Sequence, residues 1–151
     1  MKWYEREPWQ TKLLVEINGM EKHYPDFTLT EDDDGELLWL GELVTCKGND
    51  FIVAISYPPS YPHAEPRFWV IYPEIREKLE HLYRDGSLCV HLSDGWDYKR
   101  CTALQMVALF QAWLNAYEAW RDTGIWPKAD CIESWSRTYE QTGHWPQRIG
   151  G

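Results

Sequence analysis

The chain has 151 residues, 44% hydrophobic and 26% charged, which suits one domain (residues 1–151) with a sizeable core. Its formal net charge of −9 argues against a nucleic-acid backbone as the main ligand, because phosphates call for an excess of Lys and Arg; a basic protein partner is the easier match. No apolar run approaches the ~18 residues of a membrane span. Residues 1–15 lack the apolar stretch of a signal peptide, so the four cysteines, at 46, 89, 101 and 131, are expected as reduced thiols in the cytoplasm.

In chain order, Leu13, Leu14, Ile17 and Met20 have helical spacing and predict an amphipathic helix from Trp9 to about Lys22, stopped by Pro25. Residues 27–30 read as a first strand. The acidic run 31–36 (EDDDGE) reads as a solvated hairpin tip, since a local charge run lacks the spread of ligands a metal needs. Strands follow at 37–45, at 51–57 with alternating Phe51, Val53, Ile55 and Tyr57, and at 67–72. Between the last two lies a proline-rich connector, 58–66, that cannot be helix. Residues 74–80 are expected to form one or two helical turns. Thr102 and Gln105 fit a capping box opening a long, almost wholly apolar helix, whose polar positions Gln111, Asn115 and Glu118 fall on one narrow stripe; such a helix should lie across the sheet. Gly124 and Pro127 end it. A last helix runs from Asp130, with Asp130 and Glu133 placed to cap it, to about Gln141, and the tail from His144 is expected to fray. Strands and helices are segregated, so the class is α+β: an N-terminal helix, a four-stranded antiparallel meander, a long crossover helix and a C-terminal helix. Ten tryptophans suggest a rigid core plus some exposed rings suited to protein contact.

The stretch 81–105, where sheet gives way to helix, holds the chemistry. Cys89 follows Gly86-Ser87-Leu88, a turn; by position alone, a buried structural cysteine is the simpler reading. Cys101 follows Lys99-Arg100 and precedes the helix start, a setting of cations and helix dipole that favours thiolate. His81 and His91 are also near in sequence. Read as zinc ligands, His81, Cys89, His91 and Cys101 are separated by seven, one and nine residues, which matches no common pair-plus-pair arrangement, so no metal and no other cofactor is expected. Cys46 and Cys131 read as structural. No G-x-x-x-x-G-K-[ST] loop is present, so adenylation is left to another protein or bypassed.

Taken together, Tyr57-Pro58 through Tyr61-Pro62, Glu65-Pro66, Gly86-Ser87-Leu88-Cys89, Trp96 and the helix from Thr102 resemble, in order and spacing, the ubiquitin-conjugating enzyme family in a divergent bacterial form, over roughly residues 9–122. The resemblance implies a transferase that forms a cysteine thioester with a partner protein's C-terminus and passes the acyl group to a lysine amine. Some bacterial members sit in antiphage operons beside a cyclic-oligonucleotide synthase and act on its C-terminus, which implies that synthase as partner. It further implies an acidic group near the thiol that orients the amine, Asp94 or Asp97, although Asp94-Gly95 and Asp97 read equally as a turn with solvated carboxylates; His81, with His91, Lys99 and Arg100, is near enough in sequence to favour a thiolate. In a related non-catalytic branch the proline-rich region contributes to binding, which points to Tyr57, Tyr61 and His63, with Trp96, as partner contacts. The chain departs from the pattern twice. It lacks the family's His-Pro-Asn tripeptide: His81-Leu82-Tyr83 stands nearest without a gap, and Tyr72-Pro73-Glu74 with one. It also carries Cys101, so either Cys89 or Cys101 is the nucleophile. The alternative is a non-catalytic protein-binding variant of the same fold. The C-terminal Gly150-Gly151 looks like a ubiquitin-like tail, with chance an equal explanation.

Overall fold

The computed structural model describes residues 2–77, 79, 87–88, 96–97 and 101–146. Helix α1 (Trp9–His23) forms where the apolar spacing places it and stops at Tyr24, before Pro25. The face it buries is narrower than the spacing suggests. Glu16 and Met20 are buried, whereas Leu14 (60% exposed) and Val15 point to solvent.

Strands β1 (Thr28–Glu31), β2 (Leu37–Val44), β3 (Asp50–Ser56) and β4 (Arg67–Tyr72) pair antiparallel in sequence order. The acidic run makes the tight turn between β1 and β2. Asp32 Oδ1 accepts from the N–H groups of Asp34 and Glu36, both at 2.9 Å, and Gly35 supplies the positive φ of 77°. Gly48 (φ 86°) does the same between β2 and β3. Period-2 alternation sends Trp39, Leu43, Phe51, Val53, Ile55 and Phe68 into the core.

Helix α2 (Ala103–Thr123) covers that sheet face with Met106, Val107, Phe110, Trp113, Leu114 and Tyr117, as its apolar sequence demands. Phe110 meets Phe68 edge to face at 5.2 Å. The polar stripe is not a solvent face. It grips the β2–β3 turn: Gln111 donates to the Val44 carbonyl, Asn115 accepts the Cys46 N–H at 2.8 Å, and Glu118 accepts from Asn49 Nδ2. Burying the Asn115 amide and Glu118 Oε2 is tolerable because each finds a backbone or amide partner, while Glu118 Oε1 is buried with no hydrogen-bond partner among the described residues. Helix α3 (Ile132–Thr142) then packs Ile132 and Trp135 on Ala116 and Ala119, forming a second, smaller core.

Four expectations are corrected. Residues 74–77 carry no helix; Glu77 instead accepts a hydrogen bond from the Tyr117 hydroxyl at 2.7 Å. The cap of α3 is Cys131, and no side chain caps it, so Asp130 does not serve. The tail does not fray at once: Trp145 is buried against Trp135 and Tyr139, and its Nε1 donates to Asp122 Oδ2 at 2.8 Å. Finally, none of the ten tryptophans is exposed. Five are buried and five half-buried, so they chiefly build core, and only the half-buried ones retain some accessible ring. Gly150 and Gly151 lie outside the described residues.

Two stability predictions follow from close contacts. A Cβ on Gly41 would sit 2.5 Å from the Phe27 ring, so Gly41→Ala should cost about 1–3 kcal/mol through overpacking, read by chemical denaturation. Burial pushes the Asp122 carboxyl upward, but the hydrogen bonds from Lys47 Nζ (2.6 Å) and Trp145, together with the Lys47 charge, outweigh it and hold Asp122 below the usual carboxylate range. A depressed folded-state value contributes stability that is present above the unfolded-state value and is lost as pH falls through the folded one. Trp145→Phe, which removes the donor, should therefore destabilise at pH 7, and the gap from the parent should narrow in denaturation at pH 3; an unchanged gap would contradict the carboxylate's part in holding the tail.

Candidate functional site

Helix α2 begins one residue after Thr102, whose N–H is capped by Gln105 Oε1 at 3.0 Å, so the predicted capping box forms. Cys101 immediately precedes that cap. Its thiol is free and half-buried. Its backbone is fastened at both ends: the N–H donates to the Asp97 carbonyl at 2.8 Å, and the carbonyl accepts from Lys12 Nζ at 2.7 Å. Asp97 thus meets Cys101 through its main chain.

Beneath Cys101 lies a buried polar node that the sequence reading missed. Glu16, 1% exposed, receives Tyr57 Oη at 2.7 Å and Tyr61 Oη at 2.6 Å. It also receives the Ala103 N–H at 3.3 Å and pairs with Lys12 Nζ at 3.4 Å. Tyr57 Oη in turn accepts from Trp39 Nε1 at 2.9 Å. The signal available was the i,i+4 pair Lys12 and Glu16, with Glu16 four residues before Met20 and so on the buried face. Burial first, and the Glu16 charge second, push both phenols far above their ordinary range, so they remain donors.

The expected binding residues divide. Tyr57 and Tyr61 are each 1% exposed, with Trp3 packed on their rings at 5.2 and 4.8 Å; they are packing residues and offer a partner no surface. Trp96 is half-buried beside Tyr61, and its Nε1 donates to the Pro62 carbonyl at 2.6 Å. His63 is exposed, its ring against Trp9 at 5.6 Å. Cys101, Trp96, Asp97 and the connector are therefore gathered around one end of α1. Cys89, His81, His91 and Asp94 lie outside the described residues. The chain just before Cys89 is fixed, since Ser87 and Leu88 are buried and the Leu88 N–H donates to the Phe68 carbonyl at 2.8 Å.

Cys46 sits at the edge of the second core, and burial raises its thiol. Cys131 caps α3 beside Asp130. Among the described residues, no group of three or more His, Cys, Asp or Glu is placed to hold a metal ion, and no helix is long and apolar enough to cross a membrane.

No curated protein matches the chain in sequence. A solved complex of the Vps23 UEV with ubiquitin is similar in structure, covering 69% of this chain and 81% of that one at 14% identity and a TM-score of 0.51. At that identity the likeness shows the fold, which is of the ubiquitin-conjugating kind. The family model described as the Type II CBASS E2 protein matches residues 16–133. That span is most of the domain and takes in Glu16, Tyr57 and Tyr61 of the node, the sheet, Cys101 and α2, and on this match the chain belongs to the Type II CBASS E2 family.

Proposed function

We propose that this protein carries an acyl group on a cysteine, Cys89 or Cys101, and hands it to an amine within an antiphage conjugation pathway. The observation that supports it is a seam between sheet and helix with its main chain held near both thiols: buried Leu88, bonded to β4, directly precedes Cys89, and Cys101 is a free, half-buried thiol at the start of α2 with its backbone held at N and O. In this reading the thiolate attacks the activated carbonyl of a partner's C-terminal residue, delivered as a thioester or acyl adenylate, and expels the thiol or nucleotide. An amine then attacks the new thioester and the cysteine thiolate leaves. The partner is the C-terminus of the system's cyclic-oligonucleotide synthase, the acceptor is a lysine protein, and the setting is the cytoplasm. Asp97 meets Cys101 through its main-chain carbonyl, and the proposed role of its carboxylate in orienting the amine rests on the family resemblance. Trp96 and exposed His63 remain proposed partner contacts.

A second reading has its own support. A non-catalytic variant would bind a ubiquitin-like partner without chemistry, as suggested by the missing His-Pro-Asn tripeptide and by the likeness to a UEV solved with ubiquitin. The two separate on a gel. Incubated with a peptide thioester ending in glycine, the parent should form a thiol-labile adduct under non-reducing conditions. Cys89→Ser or Cys101→Ser should abolish it, and the one that does identifies the carrier; an adduct untouched by either change, or none in the parent, would favour the binding variant.

A further inference from the structure

A cleft of about 470 Å³ lies between α2 and α3, lined by no residue that the acyl-transfer reading uses. Its size is within the ~300–1,000 Å³ of clefts that take a small ligand. Ala108 and Ala112 from α2 and Ile132 from α3 give it apolar walls. Ser136, one turn beyond Ile132 and 7% exposed, adds a hydroxyl that has no hydrogen-bond partner among the described residues. The other hydroxyls of this helix behave differently. Ser134, Thr138 and Thr142 each donate to a main-chain carbonyl three or four residues back, at 2.9, 3.0 and 2.8 Å. Ser136, the buried one of the four, does not. Leaving a buried hydroxyl unpaired is costly, so it marks a place where a partner atom belongs.

The surrounding charges say what kind of atom. Arg137 also lines the cleft, but its Nη2 pairs with Glu133 Oε1 at 3.2 Å. Glu140, one turn beyond Ser136 and so on the same face of α3, forms no hydrogen bond or ion pair among the described residues. Burial raises the neighbouring Cys46 thiol most. Ser136 is near enough to offset part of that, short of a hydrogen bond, and the carboxylates of Glu118 and Glu140 push the thiol further up, so the field here is negative. On the α2 side, Gln111 spends its Nε2 on the Val44 carbonyl, which leaves its Oε1 as a further acceptor. A hydroxyl, a carboxylate and an amide oxygen beside an aliphatic wall suit a lysine, which carries three N–H donors on a compact charge at the end of an apolar stem. An acidic ligand would meet Glu140, and an apolar one would leave Ser136 stranded.

We propose that this cleft is a docking site for a lysine side chain of a protein partner, with the ammonium held by Ser136 Oγ and the Glu140 carboxylate and the methylene stem lying against Ala108, Ala112 and Ile132. The net charge of −9 fits the same occupant, a protein with a basic surface. The site anchors a partner and takes no part in chemistry. It does not require that any cysteine carry an acyl group, and the gel with Cys89→Ser and Cys101→Ser decides that reading separately.

The test titrates the whole chain with a short Gly/Ala peptide carrying a single lysine, and with the same peptide acetylated on that lysine, while following the amide NMR shifts of residues 108–115 and 132–140. The free-lysine peptide should shift both sets saturably, and the acetylated one should not. Ser136→Ala should weaken the affinity by about tenfold or more, since a buried charged donor loses its acceptor, and Glu140→Gln by about two- to fivefold, as suits an exposed carboxylate. Added salt should weaken binding as well. In chemical denaturation the free Ser136→Ala chain should be no less stable than the parent, because the hydroxyl has no internal bond to lose. Equal shifts from the acetylated peptide, an affinity indifferent to both substitutions, or no saturable shift with the lysine peptide would overturn the site. A Ser136→Ala chain clearly less stable than the parent would overturn it too, by showing the hydroxyl already bonded within the fold.

Discussion

A carboxylate with almost no access to water sits where α1, the proline-rich connector and the start of α2 meet, and the arrangement of all three depends on keeping it satisfied. Glu16 can remain there only if hydrogen-bond donors surround it. They come from every direction: two phenols from the end of β3 and the connector, an ammonium from the preceding turn of its own helix, and a main-chain N–H from α2. Each donor is then committed. Tyr57 cannot leave without stranding Trp39 Nε1 as well, and Tyr61 cannot leave without undoing its packing on Trp3 and Trp96. The polar node thus fixes the register between layers that apolar contacts alone would let slide. A point-like, directional demand does this better than an area-proportional one.

The other end of α2 follows the same logic with weaker groups. An almost wholly apolar helix needs something to stop it rotating on the sheet. Gln111, Asn115 and Glu118 supply that by reaching the turn between β2 and β3. The helix is therefore pinned at its N-terminus by Glu16 and along its length by an amide-and-carboxylate seam, with aromatic packing filling the space between. This leaves its opposite flank free to accept α3 and Trp145.

Much of this was legible in the sequence. The four strands, their turns at Gly35 and Gly48, the connector and the capped start of α2 all carry local signals of period, glycine and cap, and those signals act within a few residues. What could not be read depends on residues far apart in the chain. Lys12 and Glu16 look like a solvated helix pair until Tyr57, Tyr61 and Ala103 are known to converge on them. The tryptophans look like surplus aromatics until their N–H partners are seen: Tyr57 Oη for Trp39, Ser56 Oγ for Trp69, the Pro62 carbonyl for Trp96 and Asp122 for Trp145. No local pattern announces such an acceptor, and Nε1 of the buried Trp3 and Trp113 finds none among the described residues. Trp145 reads as loose tail for the same reason, since both its core and its acceptor lie on other elements.

The likeness to a UEV at 14% identity shows that the fold survives almost complete replacement of its side chains. What such a fold must preserve is a place where main chain is held and one side chain is not. In this chain that place is built twice over. Ser87 and Leu88 are buried and bonded to β4 directly ahead of Cys89, and Cys101 is bonded at both N and O directly ahead of α2. A nucleophile that must meet an acyl carbon from a separate protein gains from this arrangement, because the entropy of aligning its backbone has been met on folding and only the rotation of one side chain remains. A binding surface has no such need, since it gains as much from adaptable loops as from fixed ones. The held main chain, directly ahead of Cys89 and at Cys101 alike, is thus the feature that a merely adhesive variant would have least need of.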